Sequence, residues 1–182
     1  MSSNQSLRAL ADALLGEAKR ADLTIATAES CTAGLMCQVL SDAEGAAEHF
    51  HGGFVTYTKE QKSRALDVPW SVLREQGAVC GTVARAMAEG ALRHSGADIS
   101  AAITGVAGPE PDEDGNPVGR VCIAVARRGA PARDFERHYG DIGRDTIRER
   151  AVADAITAMQ ELASSKSAAR RESPQAAPRS RG

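Results

Sequence analysis

A layered α/β domain, with helices covering both faces of a largely parallel or mixed sheet, is what this 182-residue sequence predicts. Three observations carry that expectation. Strand-like apolar runs and helical patterns are mixed along nearly the whole chain. Residues 98–104 form a near-continuous run of small and apolar side chains, as a strand buried on both faces does. Residues 24–34, TIATAESCTAG, pass from an apolar β-branched run into Glu29, Ser30, Cys31 and Thr32, after which Leu35, Val39 and Leu40 recur at helical intervals.

Taken in order, Leu7, Leu10, Leu14 and Leu15 lie at helical spacing with Arg8, Glu17 and Lys19 off the stripe, an amphipathic helix that Ser6 can start. Asp22 leads into the first strand, and the helix after Gly34 is expected to stop near Gly45. Residues 52–57, mostly β-branched or aromatic, predict a second strand. The polar segment 58–62 then opens a helix or a loop. Residues 69–76 predict a short helix closed by Gly77. Residues 82–95 predict a longer one, with Val83, Met87, Ala91 and Leu92 inward and Gly96 just past its end. The buried strand 98–104 exits through Thr104, Gly105 and a glycine-rich turn, and the acidic residues 110–114 read as a solvated loop. Residues 121–126 give another apolar strand, with 135–139 pairing antiparallel to it. Ile147, Ala151, Ala155, Ile156, Met159 and Leu162 mark a closing helix. Residues 1–163 form the folded domain. Residues 164–182, rich in Ser, Ala, Pro and Arg with a net charge of about +4, are expected to be a disordered basic tail.

Composition narrows the class. Hydrophobic residues make up 42% and aromatics only 3%, so the core is aliphatic and alanine-rich. A net charge of −2 leaves no overall footprint for nucleic acid. No run is long and apolar enough to span a bilayer, and residues 1–15 lack the pattern of a secretory leader. The four cysteines show neither a CxxC pair nor metal-ligand spacing, which suits reduced thiols in a cytoplasmic protein.

The unusual chemistry gathers at three strand exits: residues 29–32, residues 57–62, and Thr104 with Gly105. In open α/β sheets ligands collect at such carboxyl ends. Ser30 there would sit beside the free N–H groups and positive dipole end of a helix, able to hold an oxyanion or a phosphate. The plainer role for Ser30 or Thr32 is an N-cap. A serine nucleophile, a lysine made neutral by burial and glycine amides suit acyl transfer. None of the four histidines is placed for a Ser-His-Asp arrangement.

The motifs AESCTAG, GGFVTYTKEQK, LDVP, QGAV, VARAMAEGA, ITGVAGP and PVG, in order between residues 7 and 162, strongly resemble the CinA C-terminal-domain family. These are the nicotinamide mononucleotide amidohydrolases. The resemblance implies a single three-layer α/β/α domain with a mixed, mostly parallel sheet. It also implies a small nucleotide substrate, no cofactor or metal, and a homodimer. Its nucleophile falls on Ser30 and its lysine base on Lys62, with Lys59 a nearby competitor. Tyr57 would help orient the pair, and Thr104 would line the pocket. Glu29, Cys31, Thr32 and Gly105 are the substrate-binding candidates around the oxyanion or phosphate. Arg144 and Arg148 match a late basic pair that would reach the phosphate, although surface arginines on a helix are the plainer reading. Two departures stand out: Ala33 where the family has glycine, and acidic residues at 110–114 where it is glycine-rich. A non-catalytic nucleotide-binding module and an amidase for another small carboxamide are the rival readings.

Overall fold

Among the described residues of the computed structural model, 3–171, five strands form one sheet. They are β1 (Ile25–Glu29), β2 (Phe50–Val55), β3 (Ile99–Gly105), β4 (Arg120–Arg127) and β5 (Ala130–His138), in the order β2-β1-β3-β4-β5. β1 pairs parallel with β2 and β3, β4 runs antiparallel to β3, and β5 antiparallel to β4. Four strands thus share one direction, the mixed, mostly parallel sheet expected.

Register brings the strand exits together. Glu29 lies beside Val55 on one side and Ile103 on the other. Residues 30 and 56, just past their strands, therefore lie in one row with Thr104 near the end of β3. Backbone bonds extend past the strand ends: Ser30 N–H donates to Ile103 O at 3.0 Å, and Thr56 N–H to Glu29 O at 2.8 Å.

The two faces of the sheet carry different side chains. One presents Ile25, Ile99, Ile103, Ile123 and Val125 to α1 (Ser3–Ala21), α2 (Leu35–Ser41) and α7 (Arg144–Arg171). The other presents Ala28, Ala102, Cys122 and Ala124 to α6 (Gly81–Ser95), flanked by α4 (Lys59–Leu66) and α5 (Trp70–Glu75). The large aliphatic side chains of the first face each contribute roughly 1.5–3 kcal/mol by burial. The alanines of the second contribute less apiece but leave room for α6 to lie close. Gly90 is where α6 meets the end of α4: a Cβ there would fall 2.2 Å from Leu66 O. A short helix, α3 (Ala46–His49), precedes β2.

Several bounds differ from the sequence expectation. α1 begins at Ser3, α2 ends at Ser41 instead of near Gly45, and β2 lies two residues earlier than 52–57. β5 spans nine residues where five were expected, because most of this edge strand is exposed and its apolar alternation is weak. α7 continues to Arg171, so residues 164–171 of the expected tail belong to a helix. Residues 172–182, the rest of that tail, lie outside the described residues.

Candidate active site

The turn after β1 is built by Glu29. Its fully buried carboxylate accepts N–H bonds from Gly34 at 3.0 Å, Met36 at 3.1 Å and Cys37 at 2.8 Å. The free amides at the start of α2 are thereby satisfied from inside the fold. This corrects two expectations. Glu29 does not line the cavity and is a helix anchor, not a substrate contact. Neither Ser30 nor Thr32 caps the helix: the N-cap is Gly34, at φ 98°. Ala33 before it stands at φ 53°, a left-handed conformation that a Cβ disfavours by roughly 1–2 kcal/mol. The Thr32 side chain is buried away from the cavity, and its hydroxyl is unpartnered among the described residues. Freed from capping, Ser30 and Cys31 border the cavity instead. The backbone N–H groups of Cys31 and Thr32 make no backbone hydrogen bond among the described residues.

Lys62 reaches Ser30 from the other side. Thr58 caps α4, its Oγ1 accepting the Gln61 N–H at 3.1 Å. Helical spacing then puts Lys62 and Leu66, four apart, on the inner face. Lys62 is 1% exposed and Ser30 6%. Lys62 Nζ donates to Ser30 Oγ at 2.8 Å and to Thr56 O at 2.8 Å, with Tyr57 O at 3.4 Å. Burial pushes the Lys62 ammonium down from 10.5 to about 8. Burial also raises the Cys31 thiol to about 12, so no thiolate stands beside it. A neutral lysine has two N–H bonds and one lone pair. With both N–H groups on the Thr56 and Tyr57 carbonyls, which can only accept, the lone pair is left for the Ser30 hydroxyl.

The second lysine of the segment is held elsewhere. Lys59 Nζ lies 2.8 Å from Glu113 and 2.9 Å from Asp114, and these carboxylates raise its pKa. Tyr57 meets Lys62 only through its backbone carbonyl, while the residue itself is 65% exposed at the cavity edge.

The cavity over this pair has a volume of about 620 Å³. Thr104 and Gly105 line it, the Thr104 hydroxyl donating to Ala78 O at 2.8 Å. From α7, Arg148 Nε donates to Cys31 O at 2.7 Å and Arg144 donates to Gly108 O, and both residues border the cavity. Arg148 is half-buried, whereas Arg144 is exposed, as the plainer reading has it, and is tied to the loop at Gly108. No histidine lines the cavity. Among the described residues, no group of three or more His, Cys, Asp or Glu side chains is arranged to hold a metal ion.

Residues 7–163 match the CinA C-terminal domain family. The chain belongs to that family. It is 44% identical over 140 residues to a CinA-like protein of Geobacter sulfurreducens, covering 77% of this chain and 33% of that protein. The chain thus spans about a third of the length of the curated relatives it matches. Among solved structures, the competence/damage inducible protein CihA from Agrobacterium tumefaciens superposes with a TM-score of 0.82 at 37% identity. That match covers 86% of this chain and 94% of the other. A CinA superfamily protein from Escherichia coli gives 0.81 at 34% identity, covering 90% and 92%.

In this CinA-family cavity, the acidic loop is solvent-exposed as expected and also forms a wall. Glu110, Asp112, Glu113 and Asp114 all line it. Asp112 orders the loop by accepting from Asp114 N–H at 3.1 Å, Asn116 N–H at 2.8 Å and Asn116 Nδ2 at 2.7 Å. Sequence reasoning also missed Thr56, whose contribution is a main-chain carbonyl, and Trp70, which lines the cavity from the first residue of α5. A carbonyl leaves no signal in side-chain pattern. The single tryptophan in a chain poor in aromatics was a signal that could have been read.

Proposed function

We propose that this CinA-family domain hydrolyses the carboxamide of nicotinamide mononucleotide through an acyl-enzyme on Ser30, giving nicotinic acid mononucleotide and ammonia. The observation that carries the reading is the buried Lys62 Nζ at 2.8 Å from Ser30 Oγ, with its pKa brought to about 8. Lys62 removes the hydroxyl proton as Oγ bonds to the carboxamide carbon. The Cys31 and Thr32 N–H groups are the donors for the resulting oxyanion. Collapse breaks the C–N bond, and the Lys62 proton leaves on ammonia. Water then attacks the ester, gives its proton to Lys62, and the carboxylic acid departs as the proton returns to Ser30. Arg144 and Arg148 keep guanidinium N–H groups for the nucleotide phosphate, and Thr104 shapes the wall next to the nucleophile.

The test is ammonia release from nicotinamide mononucleotide by the full chain. Ser30→Ala should lower the rate by at least three orders of magnitude, as loss of a covalent nucleophile does, while the thermal midpoint holds. Ammonia release by Ser30→Ala above a tenth of the unsubstituted rate would refute the acyl-enzyme. No release from the unsubstituted chain would refute the substrate.

A further inference from the structure

The chain holds six aromatic residues, three Phe, two Tyr and one Trp. The tryptophan and one tyrosine, Trp70 and Tyr57, are 44% and 65% exposed and border the same cavity as Ser30 and Lys62. Both belong to the small set of large apolar side chains left exposed among the described residues, with Val55 and Ile142. Trp70 is not there to cap or brace α5, whose N-cap is Pro69 and whose buried residue is Leu73. Among the described residues, neither ring packs against another aromatic ring or a cation. Two amphipathic rings stand unpartnered at the mouth of a reactive site.

We propose that Trp70 is a specificity-determining residue that stacks on a planar, cationic heteroaromatic ring of the substrate, with Tyr57 as a second aromatic wall. The inference rests on the amidase reading above and adds how the ring is recognised. Charge around the cavity suits a ligand with both signs. Among the described residues, Glu110 is an exposed carboxylate of the acidic wall without an ion-pair partner, whereas Glu113 and Asp114 are already paired with Lys59. Arg144 and Arg148 supply positive charge from α7. An indole face attracts a cation by its quadrupole, more strongly than phenol or benzene does, so a pyridinium is held more tightly than a neutral pyridine. A ring held flat also limits rotation of its carboxamide in front of Ser30.

Trp70 is the one tryptophan of the chain, so its emission reports this place alone. The probes are nicotinamide mononucleotide, 1-methylnicotinamide (a pyridinium without phosphate), neutral nicotinamide and ribose 5-phosphate (phosphate without a ring). They are titrated into Ser30→Ala protein, which does not turn over. The two pyridinium probes should quench the emission saturably, nicotinamide more weakly, and ribose 5-phosphate not at all. In the Ser30 protein, Trp70→Leu should raise KM for nicotinamide mononucleotide on the order of tenfold, with kcat within about threefold and the thermal midpoint unchanged. Trp70→Phe should recover most of the lost KM. Ammonia release with no quenching and an unchanged KM in Trp70→Leu would overturn the stacking role and leave the amidase reading standing. Saturable quenching by pyridinium probes with no ammonia release would overturn the amidase reading and leave the ring site.

Discussion

Lys62 links activity and stability in a way that can be measured on one residue. Its ammonium is buried, and its folded-state value of about 8 lies below the ordinary 10.5. The folded protein therefore releases this proton before the unfolded chain does. Below about pH 8 both states hold the proton, and the folded state bears the full cost of a buried ammonium. Between about 8 and 10.5 only the unfolded chain holds it, so stability rises with pH through that window. With those two values, the cost is about 3 kcal/mol at pH 7 and roughly half that at pH 9.5. Lys62→Met removes the titration. It also leaves the Thr56 and Tyr57 carbonyls without the amine, a loss that does not depend on pH and cancels in the comparison. Urea unfolding of both proteins at both pH values should show the unsubstituted chain gaining about 2 kcal/mol on Lys62→Met between pH 7 and 9.5. The same titration should appear in kcat/KM as one basic limb that levels above about pH 8.5. At pH 7 roughly a tenth of Lys62 is then free base, against on the order of one part in three thousand for an unshifted lysine. A stability difference that stays within about 0.5 kcal/mol, or that moves the other way, would refute the assignment of a depressed lysine at this site.

Three further outcomes follow from contacts around the pair. Glu29→Ala leaves three amide groups at the start of α2 unpaired and should cost on the order of 3 kcal/mol, lowering the thermal midpoint by roughly 6–12 °C. An unchanged midpoint in scanning calorimetry would contradict its anchoring role. Gly90→Ala sets a Cβ 2.2 Å from Leu66 O and should displace α4. We expect about 1–3 kcal/mol of destabilisation together with a fall in kcat, because α4 also carries Lys62, and loss of stability alone would show that the helix does not shift. Lys59→Met should keep kcat within about threefold, whereas Lys62→Met should lose at least three orders of magnitude in the ammonia assay. The reverse order would make Lys59 the base despite its pairing with Glu113 and Asp114.

Much of this was legible without coordinates, where local pattern and burial agree. The run 98–104 reads as a buried strand because β3 is covered on both faces, which suits a short run of small and apolar residues. The helix 82–95 is legible from its inward stripe, and Ser30 from the abrupt change at the end of β1. Residue type narrowed the candidates for a base to two lysines three positions apart. What sets them apart is tertiary: the Thr58 cap sets the phase of α4, turning Lys62 inward toward Ser30 and leaving Lys59 to the acidic loop. Glu29 shows the same limit. A carboxylate one residue before a nucleophile suggests a site residue, yet its partners are amides five, seven and eight positions on, brought round by the turn at Ala33 and Gly34. The part of the acidic loop at the cavity, and that of Trp70, depend on approach between segments distant in sequence, which periodicity does not encode. Sequence by itself determined which groups could do the chemistry and on which elements they ride. Only the packed structure decided which of them meet, because parallel register aligns the exits of β1, β2 and β3 and burial then strips water from the one lysine that faces them.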